Sequence, residues 1–177
     1  MASTHQLSAT KGIKSIMTTR FTSHISLPDE TKTALVETLN TALATTNDLH
    51  SQVKQAHWNI KGPQFFARHE LFDTMAGRLR DFADSIAERA TTLGGYANGT
   101  SRLSAASSKL PEYDLRAVDG KHHIKVLVDR FSEYTAFVRE AIQQAADKND
   151  PATEDLFTEV LRGTELDMWF LESHLNV

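Results

Sequence analysis

Residues 64–95, QFFARHELFDTMAGRLRDFADSIAERATTLGG, decide the fold. Phe72, Met75, Leu79, Phe82, Ile86 and Leu93 recur at helical spacing, three and four apart and then seven, which is the seam of a bundle helix. Gly94-Gly95 stops it. His69 and Asp73 form one i, i+4 pair on this helix and Asp84 and Glu88 form another, so each pair sits on one face. Asp73 and Asp84 are three turns apart, which puts the pairs at nearly the same azimuth but about 16 Å apart along the axis. One copy of the helix cannot close a site around both pairs. Two antiparallel copies related by a two-fold axis would set His69 and Asp73 of one against Asp84 and Glu88 of the other.

On a helical wheel these four residues face away from the chain's own apolar seam. A solvated surface is the ordinary fate of such a face. Two features argue against it here. Ala76, Gly77, Ala83 and Ala87 lie on or beside the polar face and would let another helix approach, and Gly77 costs roughly 1 kcal/mol relative to alanine with no local return. The donors are also chemically coherent: imidazole and carboxylate without thiolate suit iron(II) or manganese(II), with zinc as a competitor.

Upstream, Leu35, Leu39, Ala42, Leu43, Leu49, Val53 and Ala56 predict a helix from about Pro28 that runs into His57-Trp58 and ends at Gly62-Pro63. Asp29 and Glu30 suit its first turn. Downstream, residues 96–120 are long for a bundle connection and predict a short helix near 101–108. A helix follows Asp119-Gly120 with Ile124, Leu127, Phe131, Tyr134 and Val138 as its stripe. Asp150-Pro151 opens the last as N-cap and first-turn proline, with Leu156, Val160 and Met168 as its stripe and an end near Trp169-Phe170-Leu171. The fold class is all-α: four helices with one long middle connection, the ferritin-like pattern.

Residues 1–25 are rich in Ser and Thr, lack apolar periodicity, and are expected to be a mobile tail ahead of a single bundle domain at 26–177. An organellar transit peptide has a similar composition. The 177 residues carry a net charge of −4, yet residues 1–28 hold Lys11, Lys14 and Arg20 and no acid. With no cysteine, disulfides, thiolate zinc sites and iron–sulfur clusters are excluded. No stretch is long and apolar enough for a membrane helix, so a soluble, cytoplasmic protein is expected. No Glu has His three residues later, which disfavours a di-iron site inside one bundle. His-Glu-x-x-His and a Gly-rich phosphate loop are missing, so neither a zincin nor a nucleotide enzyme is supported.

The stretch QAHWNIKGPQFFARHELFD, followed by DSIAERATTLGG and the closing WFLES, resembles the Dps family, the DNA-binding proteins from starved cells or miniferritins. The resemblance covers about residues 28–175. It implies a hollow homododecamer whose ferroxidase sites straddle two-fold interfaces, with His57, His69 and Asp73 from one subunit and Asp84 and Glu88 from the other. The implied reaction is oxidation of Fe(II) to Fe(III), hydrogen peroxide being preferred to dioxygen, followed by storage of a ferric mineral in protection against oxidative damage. Glu88 would be the main bridging carboxylate, His57 and His69 the nitrogen ligands, and Asp73 a ligand through water or a hydrogen bond. Trp58 would quench a radical or donate an electron, with interface packing as the competing role. Asp150, Glu154 and Asp155 are candidates for acidic iron-entry pores, although acids at a helix N-terminus are expected from the dipole anyway. Some relatives bind DNA through a lysine-rich tail. Lys11, Lys14 and Arg20 would be the contacts here, few for that purpose. A DNA-compacting nucleoid shell with little ferroxidase activity is the alternative function.

Overall fold

The computed structural model describes residues 21–175. Its helices are α1 (Asp29–Asn59), α2 (Phe65–Thr92), α3 (Ser101–Ser107), α4 (Gly120–Asp147) and α5 (Pro151–Ser173). Each bound lies within a few residues of the sequence expectation. Among the described residues there is no strand, only an isolated bridge between Lys61 and Asp119. Two antiparallel hairpins make the bundle: α1 packs along α2 and α4 along α5, and the pairs meet through α1 on α4 and α2 on α5.

Residues 93–119 carry the chain the length of the bundle, and hydrogen bonds to α1 record the passage. Asn40 accepts from the backbone of Asn98, Asn47 donates to Ser104, Ser108 donates to Asp48, and Gln52 donates to the carbonyl of Pro111. Partners advance along α1 as the connection advances, so α4 starts at the end where α1 finishes. Asp119 caps it there, accepting from the backbones of Lys121 and His122 at 2.9 and 3.0 Å.

The core holds Leu35, Leu39, Leu49 and Val53 from α1, Phe72, Met75, Leu79 and Ile86 from α2, and Phe131, Tyr134 and Val138 from α4. The buried face of α5 differs from the expected stripe. It runs Phe157, Val160, Thr164, Asp167 and Leu171, whereas Leu156 and Met168 are only partly buried. Two polar members disguise this face: Thr164 returns its hydroxyl to the Val160 carbonyl, and Asp167 takes Arg78 of α2 at 2.6 Å. Gly163 lets α5 approach α2, since a Cβ there would lie 2.6 Å from Phe82. Gly77, by contrast, faces open space within the chain.

The second carboxylate oxygen of Asp167 is buried without a partner. Burial therefore outweighs the attraction of Arg78 and pushes this carboxyl up to about 6. A raised folded value favours the protonated native state, so the contribution is complete below the ordinary 3.8 and lost as pH rises through about 6. Its ceiling is roughly 3 kcal/mol. Urea midpoints of the parent and Asp167→Asn, measured from pH 4 to 7, are expected to converge on acidification; a constant difference would count against this assignment.

Residues 21–25 belong with the bundle rather than with a tail. The Phe21 amide donates to Gly94 O at 2.7 Å, the Ser23 hydroxyl to Thr92 O at 2.8 Å, and Lys32 Nζ to Ser23 O. Lys11, Lys14 and Arg20 lie outside the described residues.

Candidate metal centre

His57 closes α1 and His69 falls in the second turn of α2, so the loop at 60–64 decides how they meet. That loop is tight: Ile60 is fully buried, while Gly62 (φ 93°) and Gln64 (φ 62°) both take left-handed backbone. The two imidazoles consequently stack, with centroids 3.6 Å apart. His57 Nδ1 lies 2.9 Å from the His69 carbonyl oxygen, and His69 Nδ1 lies 2.9 Å from the His57 carbonyl oxygen. A carbonyl only accepts, so both rings carry hydrogen on Nδ1. With hydrogen on Nδ1, each ring can offer a metal its Nε2 lone pair, in the tautomer that a ligand needs, fixed by an outer hydrogen bond.

His57 Nε2 faces Asp73, whose Oδ1 is 4.0 Å away. Asp73 is held by Lys54 Nζ at 2.7 Å, and this hydrogen bond and charge keep its carboxyl below the usual carboxylate value. Lys54 also sits 5.8 Å over the ring of Trp58, which is 63% exposed. Phe65 and Phe66 are also exposed, and the Phe65 ring lies 5.2 Å from that of His69.

Asp84 and Glu88 lie farther along the same helix, both exposed, their carboxylates without a partner among the described residues. Beside them runs a groove of about 410 Å³, lined by Leu43, Ala83, Asp84, Ala87, Ala97 and Gly99 among others. Of the small residues on this helix, Ala76 and Ala83 are buried, at 3% and 7% exposed, and Ala87 is half-buried. A larger groove of about 710 Å³ between α1 and α4 touches none of the five candidate ligands. Among the described residues no three His, Asp or Glu side chains of one chain are set to hold a metal ion. The chain therefore carries a nitrogen-rich half, with His57 only 9% exposed and His69 half-buried, and a separate, exposed carboxylate half farther along α2.

At the other end of α2, Asp150 is 3% exposed and accepts from Arg89 through both oxygens, at 2.9 and 2.7 Å, and from the Thr153 hydroxyl at 2.5 Å. It occupies the N-cap position of α5 but does not cap the backbone. With no oxygen turned to solvent, it is ill placed to line a pore. Glu154 is half-buried and Asp155 exposed.

The ferritin-like domain model matches residues 36–177. A DNA protection during starvation protein from Agrobacterium fabrum is 40% identical over 150 residues, spanning 85% of this chain and 93% of that protein. The chain belongs to the Dps family. Among solved Dps structures, DpsA14 from Streptomyces coelicolor superposes with a TM-score of 0.85 at 34% identity, covering 90% of this chain and 95% of the other. The Dps protein of Vibrio cholerae O1, described as a member of a broad superfamily of ferritin-like diiron-carboxylate proteins, gives 0.82 at 27% identity, covering 88% and 97%. Membership places the chain in a family of iron storage and DNA protection. No described helix is long and apolar enough to cross a membrane.

Proposed function

We propose that this Dps-family chain assembles into a hollow dodecamer in the cytoplasm and oxidises Fe(II) at sites shared by two subunits, with hydrogen peroxide preferred to dioxygen. The observation that supports this reading best is the histidine clasp: two rings locked in the ligand tautomer beside Asp73, on the helix that leaves Asp84 and Glu88 unpartnered. Antiparallel pairing of α2 with its copy would bring the halves together. His57 and His69 would bind iron by nitrogen, Glu88 of the partner subunit would bridge, and Asp84 of the partner subunit and Asp73 would complete the charge balance. Each peroxide takes one electron from each of two Fe(II) ions and leaves as water. Ferric product would pass into the cavity as mineral, so both reagents of hydroxyl-radical chemistry are consumed.

Iron would enter past Glu154 and Asp155; Asp150 drops out because Arg89 and Thr153 occupy it. Zinc or manganese would compete for the same donors. The second reading, DNA compaction by a nucleoid-associated shell, is favoured by the name of the Agrobacterium relative and would depend on Lys11, Lys14 and Arg20. A gel-shift series in salt tests it, since phosphate contacts from these residues would weaken linearly in log salt.

The deciding experiment is anaerobic mixing of Fe(II) with stoichiometric hydrogen peroxide, on protein first sized by light scattering. Fast oxidation by a dodecamer supports the ferroxidase. A shell of the right size with only the protein-free rate would shift the assignment to DNA compaction.

Lys54 gives a second test of the site. Its ammonium occupies the Asp73 oxygen that would otherwise face a cation beside His57. A charge of +1 some 5 Å from a divalent ion opposes it by about 1–2 kcal/mol even in water. Lys54→Gln is therefore expected to tighten Co(II) binding, read by its visible bands, roughly tenfold. Unchanged affinity would place the metal away from Asp73.

A further inference from the structure

The connection that leads into α4 buries a phenol against an imidazole at the end of the bundle that carries His57. Tyr113 is 4% exposed and His123 fully buried. The Tyr113 hydroxyl lies 2.6 Å from His123 Nδ1, the rings 6.0 Å apart and 23° from parallel, and the phenol donates there when the ring carries its hydrogen on Nε2, toward the backbones of Asn59 and Val118. Burial, above all, holds this imidazole below its ordinary value, so it is a neutral acceptor at pH 7. Its hydrogen then sits on Nε2, which has no hydrogen-bond partner of good geometry. The backbones of Asn59 and Val118 and the charge of Asp119 nevertheless act on the ring in favour of its cationic form. The other tyrosines lack such a base. Tyr134 shares its bond with the Thr46 hydroxyl, which does not take a proton near neutral pH, and Tyr96 is exposed.

A phenol gives up an electron readily when its proton leaves at the same time, and a base at hydrogen-bond distance provides that route. We propose that Tyr113 is a one-electron donor to the iron site and that His123 receives its proton. The proposal rests on the ferroxidase reading. Peroxide needs two electrons to become water, and a site holding a lone Fe(II) supplies one. Tyr113 supplies the other: Fe2+ + Tyr-OH + His + H2O2 + 2 H+ gives Fe3+ + Tyr-O• + HisH+ + 2 H2O. The O–O bond breaks, iron and phenol each lose one electron, the phenol proton moves to Nδ1, and no hydroxyl radical escapes. The bridge between Lys61 and Asp119 ties the loop that follows His57 and Trp58 to the start of α4, where His123 lies, so the end of α1 connects the pair to the site.

The test is freeze-quench electron paramagnetic resonance on the assembled full chain, after substoichiometric Fe(II) and excess hydrogen peroxide. Iron oxidation is followed optically, and hydroxyl radical is followed by a spin trap. A neutral tyrosyl signal is expected in the parent, lost in Tyr113→Phe and kept in Tyr134→Phe. His123→Gln retains a polar partner of similar size but no base, and is expected to lose the signal as well. Both losing variants should release more spin-trap adduct per Fe(II) oxidised, which a merely structural role would not produce. A tyrosyl signal persisting in Tyr113→Phe, a tryptophanyl signal in its place, or iron oxidation by the parent without any radical overturns the proposal and leaves the ferroxidase standing. No oxidation above the protein-free rate defeats both. If the variants fail to assemble, the parent spectrum in D2O decides, because a radical bonded to an imidazole carries an exchangeable deuteron coupling and its absence refutes the pairing.

Discussion

The double variant His57→Ala, Glu88→Ala is expected to reduce rapid Fe(II) oxidation by hydrogen peroxide to the rate without protein while leaving the particle size unchanged. The substitutions remove one donor from the nitrogen half and one from the carboxylate half, so no pairing of subunits restores a full set. His69 also loses the ring stacked on its own, and its carbonyl loses the His57 Nδ1 donor, although its Nδ1 keeps the backbone carbonyl of residue 57. Outer-shell changes at metal sites already cost ten- to a hundredfold, so loss of two direct donors should exceed roughly a hundredfold. The fold should tolerate it: Glu88 is exposed and its side chain bonds to nothing among the described residues, and His57 lies at the margin of the core. Stopped-flow rates with light scattering on the same samples check both halves. Parent-rate oxidation by an intact double-variant shell would place the chemistry elsewhere.

Much of this was legible in the sequence because the signals were periodic. The seam from Phe72 to Leu93, the stops at Gly62-Pro63 and Gly94-Gly95 and the opening at Asp150-Pro151 are local features, and beside them α1 ends, α2 begins and ends, and α5 begins. The i, i+4 spacing of His69 and Asp73 set them on one face, and the structure brings His57 to the same place. What the sequence hid was pairing across elements. Nothing local joins Lys54 to Asp73, or Tyr113, in an irregular segment, to His123. The core face of α5 was misplaced because Thr164 and Asp167 look like surface residues until the Val160 carbonyl and Arg78 are seen to satisfy them. Gly77, on the polar face of α2, has open space around it within the chain, and the close approach inside the bundle is at Gly163, which no periodic signal marks.

Asp150 illustrates the same limit with the largest expected effect on stability. Asp150→Ala is expected to cost about 3–5 kcal/mol, because it strands the guanidinium of Arg89, whose side chain is 17% exposed, without its carboxylate. An exposed pair such as Arg80–Asp81 should be worth under about 1 kcal/mol. Against a typical total of about 5–15 kcal/mol, the loss is a large part of the fold's margin. Burial would raise the Asp150 carboxyl, but bonds from Thr153 and Arg89 outweigh it and hold the group below its ordinary value. The sign follows: this stabilisation is present above 3.8 and lost as pH falls through the lower folded value. Urea denaturation at neutral pH should show the full deficit in Asp150→Ala and a smaller one in Asp150→Asn, which keeps an acceptor for Arg89. Adding Arg89→Met to Asp150→Ala should recover part of the loss, since no buried charge remains unpaired. A double variant no more stable than Asp150→Ala would mean that Arg89 finds another partner, and that the tie between the end of α2 and the start of α5 is not ionic.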